Sequence, residues 1–509
     1  MKSRTENSIK NSTIAFIGQI VILLAQFTTQ TVFVRTLGSE YVGANGLFSN
    51  LLTFLSFADL GIGGAITFAL YAPLANNDEK LISSIMNLFE RAYHIIGSVI
   101  LIGGIGLSFF IKGFINGNTN IPHLQFLFIL FVLNSASSYF FAYLRSLLIA
   151  NQQGYIDTLN RVVFTSAQTI VQIIFLMMTK EYIIFLIIQI FFTISANLVL
   201  YKKTKANFPF LDNYKKSKIP RDIIKNIKYN IFGAVASRFG IIVSNGTDNL
   251  ILSKFIGLVS VGKYTSYLLL LNSIQNILTQ VFNAVVASIA NLSVNDTNNN
   301  EQEVFFQYQY LVLGVSYILG CTLLVIIQDF IKIWIGSRYL FTGITVTLLV
   351  LNWTLTISRI SVQSFITAHG LYWETKWKSV CEALVNLSVG VGLIINTNFG
   401  VNSVIIGTLA ANILISMWWE PLILFRNGLN INVKTYIRRV LVYLVLVACS
   451  FMIINHYNRY YTSSGFLFFV LHSAIVFVFF TIVYLICNLN SKSQKYFIGL
   501  SLRILHRKK

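Results

Sequence analysis

Long apolar runs separated by short polar breaks dominate the sequence. Fourteen runs stand out, near 12–34, 41–70, 90–111, 122–150, 155–178, 182–201, 229–252, 260–290, 306–327, 343–368, 376–396, 403–425, 435–455 and 465–487. A helix that crosses a bilayer needs roughly 20 mainly apolar residues. The pattern therefore predicts an all-α polytopic membrane protein with 14 transmembrane helices. The breaks leave no room for an independent soluble domain. One local pattern occurs twice: Arg35-x-x-Gly38-x-x-x-Val42-Gly43 returns as Lys254-x-x-Gly257-x-x-x-Val261-Gly262, at an offset of 219. A second set agrees: Leu133, Asn134, Ser146 and Ala150 return as Leu351, Asn352, Ser364 and Ala368, at an offset of 218. Two helix pairs in one register imply a duplication with six spans per unit. An even number of spans returns the chain to the same side, so the halves form a parallel repeat. Their axis would lie along the membrane normal, with a substrate site between them near the midplane. The expected organisation is an N-terminal six-helix bundle (1–201), a linker (202–228), a C-terminal six-helix bundle (229–425), two extra C-terminal helices (426–487) and a tail (488–509).

Composition agrees. The 509 residues are 55% hydrophobic and only 11% charged, with a mean hydropathy of +0.68, whereas soluble domains are about a quarter charged. A net charge of +20 would point to nucleic acid in a soluble chain. Here the basic residues follow the bias toward cytoplasmic loops. With the N-terminus inside, most of the 38 Lys and Arg fall in the N-tail, the even-to-odd loops and the C-tail, nine of them between Lys202 and Lys228. Both termini are therefore expected in the cytoplasm, the cytoplasmic membrane is the expected location, and membrane lipids rather than nucleic acid are the expected surroundings. The loop 291–305 has Asp296, Glu301 and Glu303 and no basic residue, but acids weigh little in this rule. The first run follows Lys2, Arg4 and Lys10, is too long for a signal peptide and lacks a small-residue cleavage site, so it reads as a retained span. The tail from Lys495 sets Phe497, Leu500 and Ile504 against Arg503, Arg507 and Lys508, the pattern of an interfacial helix.

No catalytic pattern is present: there is no H-E-x-x-H, P-loop or G-x-S-x-G, and the six histidines are scattered. The four cysteines have no metal-ligand spacing. Neither an enzyme, a metal nor a cofactor is expected. Charges within spans are the better signal, because each is costly at mid-bilayer unless it faces a cavity or a partner. Arg238 lies about 13 Å into the seventh span and Arg359 about 15 Å from the inner end of the tenth. Neither snorkels easily, and with few deep acids to balance them they favour a cationic cavity over the alternative, a structural pair with a carboxylate. Arg145 and Arg161 lie nearer the cytoplasmic ends and join the candidate set; Asp157 and Arg161 are spaced to pair on one helix face. Asp59 is deep in the second span and is a candidate for ion coupling or a salt bridge. Asp248 is a second such candidate, although capping or solvation is the reading its place near the outer end favours. Lys376, Lys378 and Glu382 read as interfacial. Guanidinium forks suit phosphate oxygens, which favours an anionic head group over a cationic drug.

These residues also resemble a known family. Asp59-Leu60-Gly61-Ile62-Gly63 with Tyr71-Ala72-Pro73-Leu74, Thr247-Asp248-Asn249 with Gly257, Val261-Gly262 and Tyr264, and the stretch Gly370 to Asn386 look like the Wzx-type polysaccharide transporter branch of the multidrug/oligosaccharidyl-lipid/polysaccharide (MOP) exporter superfamily. The resemblance implies two six-helix bundles in a V, with two extra helices. It implies flipping of undecaprenyl-pyrophosphate-linked oligosaccharide repeat units by alternating access, for capsule, exopolysaccharide or O-antigen. The partners implied are the lipid-linked oligosaccharide, a glycan polymerase and glycosyltransferases. Lipid II-type members carry a charged pair early in the first span. Here Gln19, Gln26 and Gln30 occupy that uncharged region, against a peptidoglycan role. Two alternatives stay open: a drug/cation antiporter of the same fold, which should have acids in its cavity, and a polytopic glycan polymerase or ligase, which should have a large outer loop.

Overall fold

The computed structural model describes residues 4–56, 62–117, 119–213, 219–221, 223–225, 227, 246–295, 298–371, 373–429, 432–458 and 465–507; side chains are not described at 4–10, 12, 65, 283–300 and 500–507. The chain forms two compact units, Met1–Thr265 and Ser266–Lys509. The division falls inside a helix, not in the basic connector 202–228.

In the first unit, α1 (Arg4–Leu37) and α2 (Ser39–Leu55) meet at Gly38, whose φ of 89° only glycine adopts easily. Then follow α3 (Ile62–Ala75), α4 (Glu79–Ser108), α5 (Leu124–Tyr139), α6 (Ala142–Ala150), α7 (Gly154–Thr179), α8 (Tyr182–Asn207) and α9 (246–255). Asp78 starts α4 by accepting from the Leu81 amide at 2.9 Å. Pro73 lies in the last turn of α3, which ends at Ala75. Helix α1 packs on α7, α4 on α5, and α8 on both α5 and α7. Phe33 packs edge-to-face on both Tyr182 and Phe185 in this core. The outward face of α8 is inverted relative to a soluble helix: Ile187, Phe191, Ile194 and Leu198 form an exposed stripe at helical spacing. A stripe of that kind fits hydrocarbon, not water.

The second unit contains most of α10 (Leu258–Asn295), with α11 (Asn298–Trp334), α12 (Gly343–Ser358), α13 (Ile360–Ala368), α14 (Lys376–Asn396) and α15 (Val401–Ala411). Helix α15 continues through a π-helical turn, Asn412–Ser416, into α16 (Met417–Ile423), and a second such turn, Leu424–Gly428, ends the run. Helices α17 (Lys434–Tyr457), α18 (Phe466–Cys487) and α19 (Lys492–Arg507) complete it. Helix α11 is the centre, packed on α12, α13, α17, α18 and α19. Small residues let these helices close in: a side chain at Gly320 would overlap Thr354, and one at Gly314 would meet the Tyr484 ring. The two extra helices are bound to α11 by polar contacts, Ser316 to Tyr443 at 2.8 Å and Tyr484 to the Tyr310 carbonyl at 2.8 Å. The start of α19 also docks on α11, where Phe497 stacks on Tyr310 at 6.0 Å and Ser493 is buried.

Among the described residues, eleven helices are long and apolar enough to cross a membrane, and they fall on eleven of the fourteen expected runs. Of the other three, 41–70 is divided by undescribed residues into α2 and α3, 229–252 lies largely outside the described residues, and 260–290 lies within α10, whose side chains are described only to 282. The repeated patterns have structural counterparts. Helices α5 and α12 are both 16 residues long, α6 and α13 both nine, and each pair is separated by a short break. Within the first unit, a side chain at Gly43 would overlap the Leu258 carbonyl, and one at Gly262 the Ser39 carbonyl. Ser39 and Leu258 are themselves 219 apart, so this contact is reciprocal, as a local two-fold requires.

Candidate functional site

Arg359 is the residue between α12 and α13. Hydroxyl groups just before it donate back along the helix, Thr356 to the Asn352 carbonyl at 2.9 Å and Ser358 to the Leu355 carbonyl at 2.7 Å, an arrangement that bends helices. The guanidinium is almost fully buried, with the residue only 5% exposed. It grips Glu420 with both arms, Nε to Oε2 at 3.0 Å and Nη2 to Oε1 at 2.5 Å, and Nη1 donates to Asn412 Oδ1. Lys378 donates to Glu420 at 2.9 Å and pairs with Glu382 at 2.6 Å; Glu382 also lies 3.9 Å from Arg359. Gln363 adds a long donation to Glu420, at 3.4 Å. Asn412 donates to Asn352 at 2.7 Å and Thr356 at 3.1 Å. It is the first residue of a π-helical turn, a form concentrated at functional sites. Two cations face two carboxylates, so the cluster is balanced.

Of the two readings open for Arg359, the structure shows the carboxylate pair: Glu420 and Glu382 neutralise the buried guanidinium, with Lys378 as co-donor. Lys378 is buried rather than interfacial. Glu420, the residue missing from the sequence reading, had a signal: it is the single acid in the apolar run 403–425.

The other candidates are dispersed. Arg145 pairs with Asp157 at 3.3 Å and donates to Asn197 at 3.0 Å, with a side chain 39% exposed. Asp157 therefore takes Arg145 and not Arg161 as its partner. Arg161 is exposed and forms no ion pair among the described residues. Asp248 is buried and accepts from the Tyr264 hydroxyl at 3.0 Å, which replaces the solvated reading of that residue. Asp59 and Arg238 lie outside the described residues. No group of three His, Cys, Asp or Glu side chains that could hold a metal occurs among the described residues.

The fold has known counterparts. A lipid II flippase, MurJ, in an inward closed conformation matches with a TM-score of 0.65 at 16% identity, over 94% of this chain and 99% of that one. An inward-facing multidrug resistance MATE family transporter of the MOP superfamily matches at 0.61 and 13%, over 81% and 99%. A MOP superfamily transporter from Pyrococcus furiosus matches at 0.56 and 12%, over 84% and 97%. At these identities the likeness shows the fold alone, the all-α, multi-pass membrane architecture of those structures. No curated protein matches the sequence. The family model for polysaccharide biosynthesis proteins matches residues 8–289, more than half of the chain, and the chain belongs to that family.

Proposed function

We propose that the protein is a flippase that moves undecaprenyl-pyrophosphate-linked oligosaccharide repeat units across the cytoplasmic membrane by alternating access, for capsule, exopolysaccharide or O-antigen synthesis. The family match over residues 8–289 carries this reading. Two parallel six-helix bundles would rock about a shared polar path, because a glycan head group cannot cross about 30 Å of hydrocarbon unshielded. The polyprenyl chain stays in lipid, where the exposed apolar face of α18 (Phe466, Leu467, Leu471 and Ile475) offers a guide. Arg238 and Arg161 are the head-group candidates, and Arg145 assists from its half-exposed pair with Asp157. Arg359 acts instead by fixing the break in its span.

A drug/cation antiporter needs carboxylates free to take a cation. Glu382, Glu420 and Asp157 are each held by a basic partner, which supports the anionic substrate; buried Asp248, bonded to the Tyr264 hydroxyl, is the carboxylate left to the antiporter reading. The test is complementation of a flippase-deficient strain. Wild-type protein should restore surface polysaccharide, Arg238→Ala should abolish it at matched membrane abundance, and Arg238→Lys should restore it partly because bidentate geometry is lost. A wild-type chain that restores drug efflux but no surface glycan would sink the reading.

A further inference from the structure

In the second unit, α11, α12 and the end of α17 surround a groove of about 740 Å³. That volume is typical of small-molecule sites, about 300–1,000 Å³. Gln328, Asp329, Lys332, Phe341, Asn455 and Asn458 contribute to its lining. The wall is preformed. Gln328 donates to the Phe341 carbonyl at 2.9 Å and accepts from the Tyr267 hydroxyl at 3.3 Å, while the Phe341 and Tyr267 rings lie 5.1 Å apart. The remaining polar groups have spare capacity. Asn458 donates to the Leu324 carbonyl at 3.0 Å, yet its Oδ1 is buried without a partner. One end of the Asn455 carboxamide lies 2.8 Å from the Thr347 hydroxyl, which leaves its other end for a ligand. Asp329 and Lys332 form no salt bridge among the described residues.

The chemistry of this set selects its ligand. A phosphate needs an excess of positive charge, and Asp329 cancels Lys332. A bare cation needs several acidic oxygens, and there is one carboxylate. An acyl chain gains nothing from two carboxamides and two charges. A sugar ring matches them: its hydroxyls both donate and accept, and its C–H faces suit Phe341 and the aliphatic wall. The fold does not impose this polarity, because the end of α4 in the first unit is followed by Phe109 and Phe110, 72% and 69% exposed.

The charge bias that assigns both termini to the cytoplasm would put this end of α11 at the outer face. We infer that the groove is an exit-side subsite that takes uncharged sugar residues of the glycan after it has crossed. This rests on the proposed flippase function. The test uses full-length protein in lipid nanodiscs and saturation-transfer NMR. The probe is the repeat-unit oligosaccharide freed of lipid and phosphate. Transfer to sugar ring protons is expected in the wild type. It should weaken about tenfold in Asn458→Leu and in Asp329→Leu, as for loss of one or two hydrogen bonds, and inorganic phosphate should not displace the sugar. Should Asn458→Leu melt early, Asp329→Asn and Lys332→Met provide the comparison at more accessible positions. No transfer in the wild type, equal transfer in the variants, or displacement by phosphate would each overturn the inference. A wild type that restores surface polysaccharide without binding the free sugar would refute this subsite and leave the flippase reading standing; failure to restore polysaccharide would refute the flippase reading itself.

Discussion

The broken helix α5–α6 and the broken helix α12–α13 share a backbone plan and differ in what fills it. Both have 16 residues, a break and nine more. At the 218-residue offset, Phe141 stands where the second copy has Arg359, and Arg145 where it has Gln363. The first copy thus keeps its arginine one turn nearer the helix end, roughly a turn and a half from Ala150, where the guanidinium reaches solvent and one carboxylate suffices. In the second copy the arginine is about two and a half turns from Ala368. There it is buried, and the unit supplies two carboxylates, a lysine and an asparagine around it. Depth sets the number of partners a charge requires: the geometry is duplicated, the electrostatics are not.

The largest expected effect breaks the second copy alone. Glu420→Gln removes the carboxylate shared by Arg359 and Lys378 and leaves Glu382 to balance two buried cations. Breaking a buried pair from one side costs about 3–5 kcal/mol, so the variant should melt far below wild type in detergent and accumulate poorly in the membrane. Adding Arg359→Gln should recover part of the loss, since only Lys378 and Glu382 then remain charged. A Glu420→Gln protein as stable as wild type would show that the network is not what holds the break.

A second pair of changes sharpens the comparison where the two copies remain alike. Gly43→Ala and Gly262→Ala push a methyl group into the carbonyls of Leu258 and Ser39 respectively. Neither neighbour is a flexible side-chain end, so each should cost about 1–3 kcal/mol. The reciprocal geometry predicts two nearly equal shifts in melting temperature. Gly64→Ala, which meets nothing within 4 Å, is the control and should be neutral or slightly stabilising. Unequal effects at Gly43 and Gly262 would mean the contact is not reciprocal.

The elements that could be read from the sequence are those fixed by local apolar length and by glycine. Eleven runs lie on helices of the expected type, and Gly38 and Gly257 both take positive φ at the start of α2 and α10. Partners across helices were less legible. The spacing of Asp157 and Arg161 favoured a pair on one face, but Arg145 from α6 competes and wins, because α6 packs on α7. Lys378 and Glu382 look like an interfacial i,i+4 pair in one dimension. The burial of Lys378 follows from α14 lying against α15, which carries the chain to Asn412 and Glu420. The π-helical turn at Asn412 has no signature in apolar periodicity, although it begins at a residue that binds Arg359.

The smallest expected effect tests the first copy. Arg145 holds Asp157 at 3.3 Å and Asn197 at 3.0 Å, with more than a third of its side chain exposed. Exposed pairs are worth about 0–1 kcal/mol because water competes for both charges and salt screens them. Arg145→Ala should therefore lower the melting temperature by only a degree or two, and raising the salt concentration should narrow even that gap. Asp157 is left partly solvated rather than stranded, unlike Arg359 after loss of Glu420. The same variant separates structural from transport roles. If Arg145 assists the head group, surface polysaccharide should fall well beyond what the small stability change explains, at matched membrane abundance. If polysaccharide stays at the wild-type level, Arg145 is a surface pair only, and both copies of the broken helix use their arginines for architecture. That outcome would leave Arg238 and Arg161 as the residues that meet the pyrophosphate.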